Sequence, residues 1–309
     1  MPARSPIFVK VPIVQLGNTE YKIPALGLGT WQSAPGEVKI AVEHALKSGY
    51  THIDCAYAYA NETEVGEGIR ASGVKREDIF ITSKLWCSFH SRVEQNLDLT
   101  LKDLGVDYLD LYLMHWPVPL NPNGNDPKFP KLPDGSRDID HSWTVAQTWK
   151  QMEDVLATGK VKAIGVSNFS EAFLEDLKKT WVVPPAANQI ELHPYLPQHA
   201  LVKYLHDNKI TPQAYSPLGS TASPLLKDPV ILQIAEKYGV SAGTVLLSYP
   251  LARKVVALPK SVTPKRIEDN IKVIQLDAED VKALNDIHKT TTIRFVKPEW
   301  NVDLKFDDW

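Results

Sequence analysis

The sequence predicts a (β/α)8 barrel, and three observations support this fold class. Short apolar runs alternate with stretches of helical periodicity along most of the chain, which indicates a parallel sheet. There are eight such runs, the number that closes a barrel. Most of them end in polar residues, as barrel strands do where catalytic groups emerge. Because barrels commonly run to about 250 residues or more, one barrel domain is expected over residues 1–309.

An N-terminal β-hairpin is expected before the barrel. In VPIVQLGNTEYKIPALGLG, two short apolar runs flank Gly17-Asn18, a dipeptide typical of hairpin turns. The predicted barrel strands then follow at 25–28, 51–54, 79–85, 109–115, 163–167, 187–191, 212–215 and 255–258.

Amphipathic stretches between these runs predict the helices. EVKIAVEHALKSG and RVEQNLDLTLKDLG are examples, and Gly49, Gly73 and Gly105 stand where helix C-termini are expected. Pro250 lies inside the last helical stretch before the eighth strand, so we expect a kink or an early helix end there.

Two segments break the alternation. Residues 117–140, after the fourth strand, are rich in proline and glycine without any period, which predicts a long and functional or disordered loop. The C-terminal tail, TTTIRFVKPEWNVDLKFDDW, is also irregular but carries four aromatic side chains. We expect this tail to pack over the mouth of the barrel.

An open doubly wound sheet is the competing architecture, and it would place G-x-G-x-x-G after the first strand. The nearest match is GLGTWQ, where Gln32 occupies the position of the third glycine. Trp31 and Pro35 follow this turn instead of a helix, so the barrel is favoured.

Composition narrows the class of protein further. Hydrophobic residues at 43% and charged residues at 23% are typical of a soluble globular protein. A net charge of −3 gives no reason to expect nucleic-acid or membrane binding, and no apolar run approaches the roughly 18 residues of a membrane span. Cys55 and Cys87 form no metal or disulfide pattern. We therefore expect a cytosolic protein without a metal, with nothing that requires more than a monomer.

The ends of the predicted strands carry titratable side chains that could act together in proton transfer. In YTHIDCAYAYANE, Asp54 ends a buried strand, and a buried carboxylate is costly unless it is paired. Lys84 can pair with it, and at about 4 Å and a dielectric of about 20 the same ammonium would stabilise a Tyr59 phenolate by about 4 kcal/mol. A lowered pKa of Tyr59, by about 3 units, is the expectation. His115 would orient a carbonyl oxygen. Such a site protonates an oxyanion as it forms.

These residues lie in segments that resemble the aldo-keto reductase superfamily. The segments span 26–270 and read GLGTW, HIDCAYAYANE, SKLW, LYLMHWP, GKVKAIGVSNF, NQIELHPYL, AYSPLGS and LPKSVTPKRIEDN. The resemblance implies an NADPH-dependent carbonyl reductase on a (β/α)8 barrel, with Tyr59 as proton donor and Asp54, Lys84 and His115 completing a catalytic tetrad.

The resemblance also implies a site for NADPH. Lys260, Ser261 and Arg266 would bind the 2′-phosphate, and cationic side chains suit a dianion on physical grounds as well. Asp269 stands where many members have Glu, which shortens that contact with the adenine. The other implied cofactor residues are Thr30, Trp31, Ser167, Asn168, Gln189, Tyr215, Ser216, Leu218, Ser220, Val262 and Asn270.

The nature of the substrate stays open at this level. The long loop and YSPLGSTASPLLKDPVI resemble fungal glycerol dehydrogenases and aldehyde reductases, which implies aldehyde reduction and reversible polyol oxidation. Fungal hexuronate (galacturonate) reductases are the alternative. A non-catalytic NADPH-binding protein and a barrel isomerase or lyase are disfavoured by the intact tetrad, and His115 favours carbonyl over C=C reduction.

An apolar substrate pocket is expected beside the tetrad, lined by Trp31, Ala58, Trp86, His115, Trp116, Trp300 and Asn301. If the substrate carries a carboxylate, a loop cation must reach this pocket. The candidates are Lys22, Lys128, Lys131, Arg137, Arg294 and Lys297.

Overall fold

The structure is a computed structural model that describes residues 6–221 and 223–309. Within them the chain forms twelve strands and ten α-helices. The strands are β1 (Phe8–Val9), β2 (Ile13–Gln15), β3 (Lys22–Pro24), β4 (Leu28–Gly29), β5 (His52–Asp54), β6 (Phe80–Leu85), β7 (Leu111–Met114), β8 (Ile164–Ser167), β9 (Ala187–Glu191), β10 (Thr211–Tyr215), β11 (Val256–Leu258) and β12 (Val273–Ile274). The helices are α1 (Glu37–Lys47), α2 (Glu62–Ser72), α3 (Val93–Leu104), α4 (Val145–Leu156), α5 (Glu171–Lys178), α6 (His199–Asp207), α7 (Pro229–Tyr238), α8 (Ala242–Ala252), α9 (Pro264–Asn270) and α10 (Ala278–Asp286).

Strands β4 to β11 form one parallel sheet in sequence order, and this sheet closes on itself. Closure comes from parallel bridges of Leu26 to Ala257 and of Gly29 to Lys260. The predicted barrel is therefore confirmed. The first predicted strand, 25–28, is regular only at β4, because Leu26 contributes a single bridge instead of a continuous ladder.

The predicted hairpin is also confirmed, since β2 and β3 pair antiparallel. Leu16 and Ile23 from this hairpin pack against Leu111 and Leu113 of β7. They therefore cover the amino ends of the barrel strands. Gly17 has φ +53, and a Cβ there would lie 2.5 Å from the backbone oxygen of Ala186, so the turn fits against the barrel only with glycine.

Helices pack around the barrel, and most bury one face, whereas α8 is buried on all sides along residues 244–250. Helices α2 and α3 end at Gly73 and Gly105, both with positive φ, as the sequence predicts. Pro250 lies within the last turn of α8, which continues to Ala252.

Within residues 6–221 and 223–309 no single helix is long and apolar enough to span a membrane. Helices α7 and α8 pass that test only as a pair bent by 93°.

The long loop and the tail meet at the carboxyl ends of the strands. The loop between β7 and α4 has no strand of its own beyond isolated bridges such as Leu120 to Ile139. In the tail, the Trp300 ring lies 5.5 Å from that of Trp116, and the Trp309 ring lies 6.1 Å from it. The tail therefore covers the barrel mouth, as expected from its aromatic content.

Candidate active site

Four titratable side chains meet where strands β5, β6 and β7 end. Asp54 is the last residue of β5, Lys84 lies near the end of β6, and His115 directly follows β7. Tyr59 reaches the same place because a single 3-10 turn, Tyr57–Tyr59, follows β5 and turns the chain back over the barrel. The structure thus brings together the four residues that the sequence singled out.

Lys84 is the centre of this group and is fully buried. Its Nζ donates to Asp54 Oδ2 at 2.8 Å and to the backbone oxygen of Cys55 at 2.9 Å, and it lies 3.5 Å from the Tyr59 hydroxyl. Burial is the largest single effect on Lys84 and would lower its pKa, but the attraction of Asp54 and Tyr59 together outweighs burial and raises the pKa above its ordinary value. Lys84 therefore stays an ammonium.

Tyr59 departs from the sequence-based expectation. Burial raises its pKa to about 12, and the opposing effect of Lys84 is too small to bring the pKa below its ordinary value. The expected lowering of the pKa of Tyr59 is therefore wrong. The estimate from Coulomb's law left out the cost of removing a phenolate from water, which here exceeds the attraction of the ammonium. Tyr59 holds its proton at neutral pH.

His115 is neutral in this site. Burial, with the nearby charge of Lys84, holds the pKa of its imidazole well below the usual range. Its Nδ1 is buried without a hydrogen-bond partner among the described residues. The ring packs edge-on against Tyr59 at 5.7 Å and against Trp86 at 5.3 Å between centroids. A neutral imidazole can donate one N–H to a carbonyl oxygen without bringing a positive charge.

A ring of amides extends the site toward β8, β9 and β10. Asn168, with φ +62, donates from Nδ2 to the His115 backbone oxygen at 3.0 Å and accepts from the Tyr215 hydroxyl at 2.8 Å. Gln189 donates from Nε2 to Asp54 Oδ1 at 2.8 Å, and Ser167 donates to the Gln189 backbone oxygen at 2.8 Å. These side chains are held in place by one another, so the amides are fixed before any ligand arrives.

All of these groups face one cavity of about 660 Å³ at the carboxyl ends of the strands, except Lys84, which lies behind Asp54 and Tyr59. Of the predicted cofactor residues, the cavity is lined by Thr30, Trp31, Ser167, Asn168, Gln189, Tyr215, Ser216, Leu218, Ser220, Lys260 and Arg266. Of the predicted substrate residues, it is lined by Trp31, Ala58, Trp86, His115, Trp116 and Trp300.

Five predicted residues do not line this cavity. Asp269 pairs instead with Lys265 at 2.7 Å and with Lys272 at 2.9 Å, since a short side chain on α9 finds its helical neighbours first. Asn301 is exposed with φ +59. The other three are Ser261, Val262 and Asn270.

The end of the cavity away from the tetrad fits an anionic cofactor. The Lys260 side chain donates to the Gln32 backbone oxygen, and within the described residues neither Lys260 nor Arg266 pairs with a carboxylate. Between them and the tetrad runs a tight loop, in which Gly219 has φ +77 and a Cβ would lie 2.1 Å from Ser223 Oγ. Two unneutralised cations beside a backbone turn suit a phosphate group.

Several lining residues were missed at the sequence level. Phe129 from the long loop, Val296 and Pro298 from the tail, and Leu226 after β10 carry no chemical signal of their own. Arg137 is one of six loop cations that the sequence could not rank, and the structure places it in the cavity wall. Within the described ranges no group of three or more His, Cys, Asp or Glu side chains could hold a metal ion.

The fold and the site together define a class: a (β/α)8 barrel whose carboxyl end joins a buried acid–base group to an elongated, partly cationic cavity. A family model for the aldo/keto reductase family matches residues 25–289. The chain belongs to the aldo/keto reductase family. It is therefore an NADPH-dependent oxidoreductase that reduces carbonyl groups.

Individual relatives agree with this family. The chain is 52% identical over 299 residues to the D-galacturonate reductase of Hypocrea jecorina, covering 94% of this chain and 97% of that protein. It is 49% identical to the glycerol 2-dehydrogenase (NADP(+)) of Saccharomyces cerevisiae, covering 92% and 94%. Among solved structures, the aldose reductase of Schistosoma japonicum matches with a TM-score of 0.84 and 43% identity, covering 90% and 92%.

Proposed function

We propose that this chain reduces aldehydes to alcohols with Tyr59 as the proton donor and Asp54, Lys84 and His115 as its partners. The observation that carries the proposal is the position of Lys84 Nζ, 2.8 Å from Asp54 and 3.5 Å from the Tyr59 hydroxyl, directly behind these two residues of the cavity wall.

Proton delivery follows from the pKa values of these groups. Tyr59 keeps its proton until negative charge develops on a carbonyl oxygen, because its pKa is about 12. An alkoxide is more basic than a phenolate, so the proton moves from Tyr59 to the substrate oxygen. Lys84 stabilises the resulting phenolate, and Asp54 keeps Lys84 charged. The neutral His115 donates to the same oxygen and orients it.

The cavity residues suit NADPH, which supplies the hydride when it is bound. Asn168, Gln189 and Ser167 present amide and hydroxyl groups that can hold a carboxamide, and the Tyr215 ring can stack on the nicotinamide. Lys260 and Arg266 can hold the 2′-phosphate. Ser216, Leu218 and Ser220, in the loop between them, can contact the pyrophosphate.

Two substrate classes are compatible with this site. Glyceraldehyde, with glycerol as the polyol of the reverse reaction, needs only the tetrad and the apolar wall. A sugar acid such as D-galacturonate is the second candidate, because Arg137 stands in the cavity wall. The proposal includes action as a single-domain monomer in the cytosol. Both cysteines are free and buried, which agrees with a reducing compartment.

The test is a set of parallel assays of NADPH consumption with DL-glyceraldehyde and D-galacturonate, each repeated with NADH. We expect turnover with NADPH and far less with NADH. Tyr59→Phe should lower kcat at least about 100-fold, because a general acid contributes about that much or more, while NADPH binding measured by fluorescence stays unchanged. Full activity of Tyr59→Phe, or no turnover of either aldehyde by the unaltered protein, would contradict the proposal.

A further inference from the structure

Six cations were candidates to face the substrate, and the structure separates them. Lys22 lies on β3 at the opposite end of the barrel, and Lys131 is exposed. Lys128 donates to the Tyr57 backbone oxygen at 3.2 Å. Arg294 is held by both carboxyl oxygens of Asp308, and Lys297 lies over the Trp309 ring. Arg137 is the one of the six that lines the cavity.

Arg137 is held by aromatic rings instead of by a counter-ion. Its guanidinium carbon lies 5.2 Å from the Phe129 ring centroid and 5.6 Å from that of Trp300. Within the described part of the chain no carboxylate pairs with Arg137, and its Nη1 is buried without an acceptor. Arg137 as a whole is half-buried, but a buried N–H group without an acceptor is costly, and each such group calls for an explanation.

A second donor beside Arg137 is also unsatisfied. Trp300 Nε1 is buried and has no acceptor among residues 6–221 and 223–309. Two buried N–H groups on adjacent side chains therefore lack an oxygen partner. Both groups need an acceptor, the positive charge of Arg137 favours one that is negative, and the described residues supply none to either group.

These donors lie one aromatic ring away from the tetrad. The Trp86 ring is 5.3 Å from His115 on one side, and 5.2 Å from Phe129 and 6.0 Å from Trp300 on the other. Trp86 is itself fixed, because its Nε1 donates to the Lys128 backbone oxygen at 2.6 Å. A sugar-length chain that presents its aldehyde to Tyr59 and His115 can therefore place its other end beside Arg137.

We propose that Arg137, together with Trp300 Nε1, binds the carboxylate of the substrate, so that the enzyme favours aldehydes with a carboxylate at the end remote from the carbonyl group. A carboxylate matches the single charge of Arg137 and can accept two parallel hydrogen bonds from its planar fork. This assignment rests on the proposed function, because it presumes that the aldehyde is reduced at Tyr59.

The test uses D-galacturonate and D-galactose, two sugars that differ only in the carboxylate. Arg137→Met should lower kcat/KM for D-galacturonate by about 10- to 100-fold, the loss expected for a charge-assisted hydrogen bond, and change kcat/KM for D-galactose by less than about twofold. Arg137→Lys keeps the charge but not the planar guanidinium, so its loss of kcat/KM for D-galacturonate should be smaller than that of Arg137→Met. Lys131→Met is the matched control, because it removes an equal charge from the exposed side of the same loop.

The outcomes separate this inference from the proposed function. Three outcomes would overturn the role of Arg137 and leave that of Tyr59 unaffected. They are equal losses of kcat/KM on both sugars in Arg137→Met, an unchanged kcat/KM for D-galacturonate in that variant, and the same selective loss in Lys131→Met. If the unaltered protein reduces neither sugar nor glyceraldehyde, the proposed function fails first. A selective loss in Arg137→Met with partial recovery in Arg137→Lys supports the assignment.

Discussion

Two opposing effects act on the Tyr59 hydroxyl. Burial disfavours its ionisation, and the ammonium of Lys84 favours it, and burial is the larger of the two. The outcome for Lys84 is the opposite, because Asp54 at 2.8 Å and Tyr59 together outweigh the effect of burial and raise the pKa of Lys84. Distance contributes to the difference, because Lys84 Nζ lies 2.8 Å from Asp54 Oδ2 but 3.5 Å from the Tyr59 hydroxyl. Tyr59 and Lys84 thus both stay protonated until negative charge develops on a substrate.

This balance predicts the pH dependence of carbonyl reduction. Since Tyr59 must be protonated to act and its pKa is about 12, kcat/KM for a neutral aldehyde should change by less than about twofold between about pH 7 and pH 9. The measurement is initial rates at saturating NADPH, with the NADPH affinity determined at each pH as the control. A tenfold loss per pH unit within this range would show that Tyr59 ionises there and that the lowered pKa expected from the sequence is right.

The residues of the tetrad could be found from the sequence because the carboxyl ends of parallel strands meet. Asp54, Lys84 and His115 each end a recognisable apolar run, so their proximity follows from the fold class. Arg137 could not be ranked, because its loop has no periodicity from which a side-chain direction can be read. Asn301 was placed wrongly in the cavity for the same reason, since the tail is irregular.

At the level of elements, α2 begins with an unusual buried acid. Glu62 accepts from Ser83 Oγ of β6 at 2.5 Å and from Thr100 Oγ1 of α3 at 3.0 Å, so it joins a strand and two helices. Burial raises the pKa of Glu62 to about 7. The folded protein therefore holds this proton more tightly than the unfolded chain, whose Glu has an ordinary pKa.

Glu62 consequently makes stability fall as pH rises. Below the unfolded pKa both states are protonated and there is no penalty. Between about pH 4.5 and pH 7 the unfolded chain ionises first, and above pH 7 the loss reaches roughly 3 kcal/mol. Glu62→Gln stays neutral, so it should unfold at higher urea than the unaltered protein at about pH 8 and at similar urea at about pH 5.

The matched control is Glu67→Gln in the same helix, whose partner Lys39 is largely exposed. Its effect on the urea midpoint should be small at both pH values, because surface ion pairs contribute little. A Glu62→Gln protein that is less stable than the parent at pH 8 would show that the two hydroxyl contacts need the charge.

The sequence identifies the long elements and misses the shortest ones. The barrel strands are buried apolar runs, and α1 and α3 have clear helical periodicity, so all of these were predicted. Strand β1 has two residues, both exposed, and pairs with β12 near the other end of the chain. A two-residue run has no period, and its partner cannot be inferred from local sequence.

On the scale of the whole molecule, Glu191 joins the barrel to the tail. This residue ends β9, but instead of lining the cavity it accepts from the backbone N–H groups of Phe295 at 2.7 Å and Val296 at 2.8 Å. His193 Nε2 lies 2.9 Å from the same carboxyl group. Because Val296 and Trp300 wall the cavity, Glu191 sets the position of the substrate pocket without touching it.

Glu191→Gln should therefore change substrate binding more than chemistry. The glutamine amide would put an NH2 group in place of one carboxylate oxygen, so one of the two backbone N–H groups would lose its acceptor. The free energy of local opening of the tail should then fall by roughly 1–3 kcal/mol. We expect a higher KM for aldehydes, a smaller change in kcat and unchanged NADPH affinity, with faster hydrogen exchange at Phe295 and Val296. Asp303→Asn, which alters an exposed acid of the same tail, is the control. Unchanged exchange and KM in Glu191→Gln would contradict this role.

The bonds to Glu191 come from peptide groups, and every amino acid except proline carries the same N–H group at those positions. The attachment therefore places almost no demand on which side chains the tail presents. Over evolution, the residues that face the substrate can be exchanged while the tail keeps its path and the tetrad its geometry. The same freedom is open to an engineer, who can randomise a tail position such as Val296 and expect most variants to remain folded around an intact reaction centre.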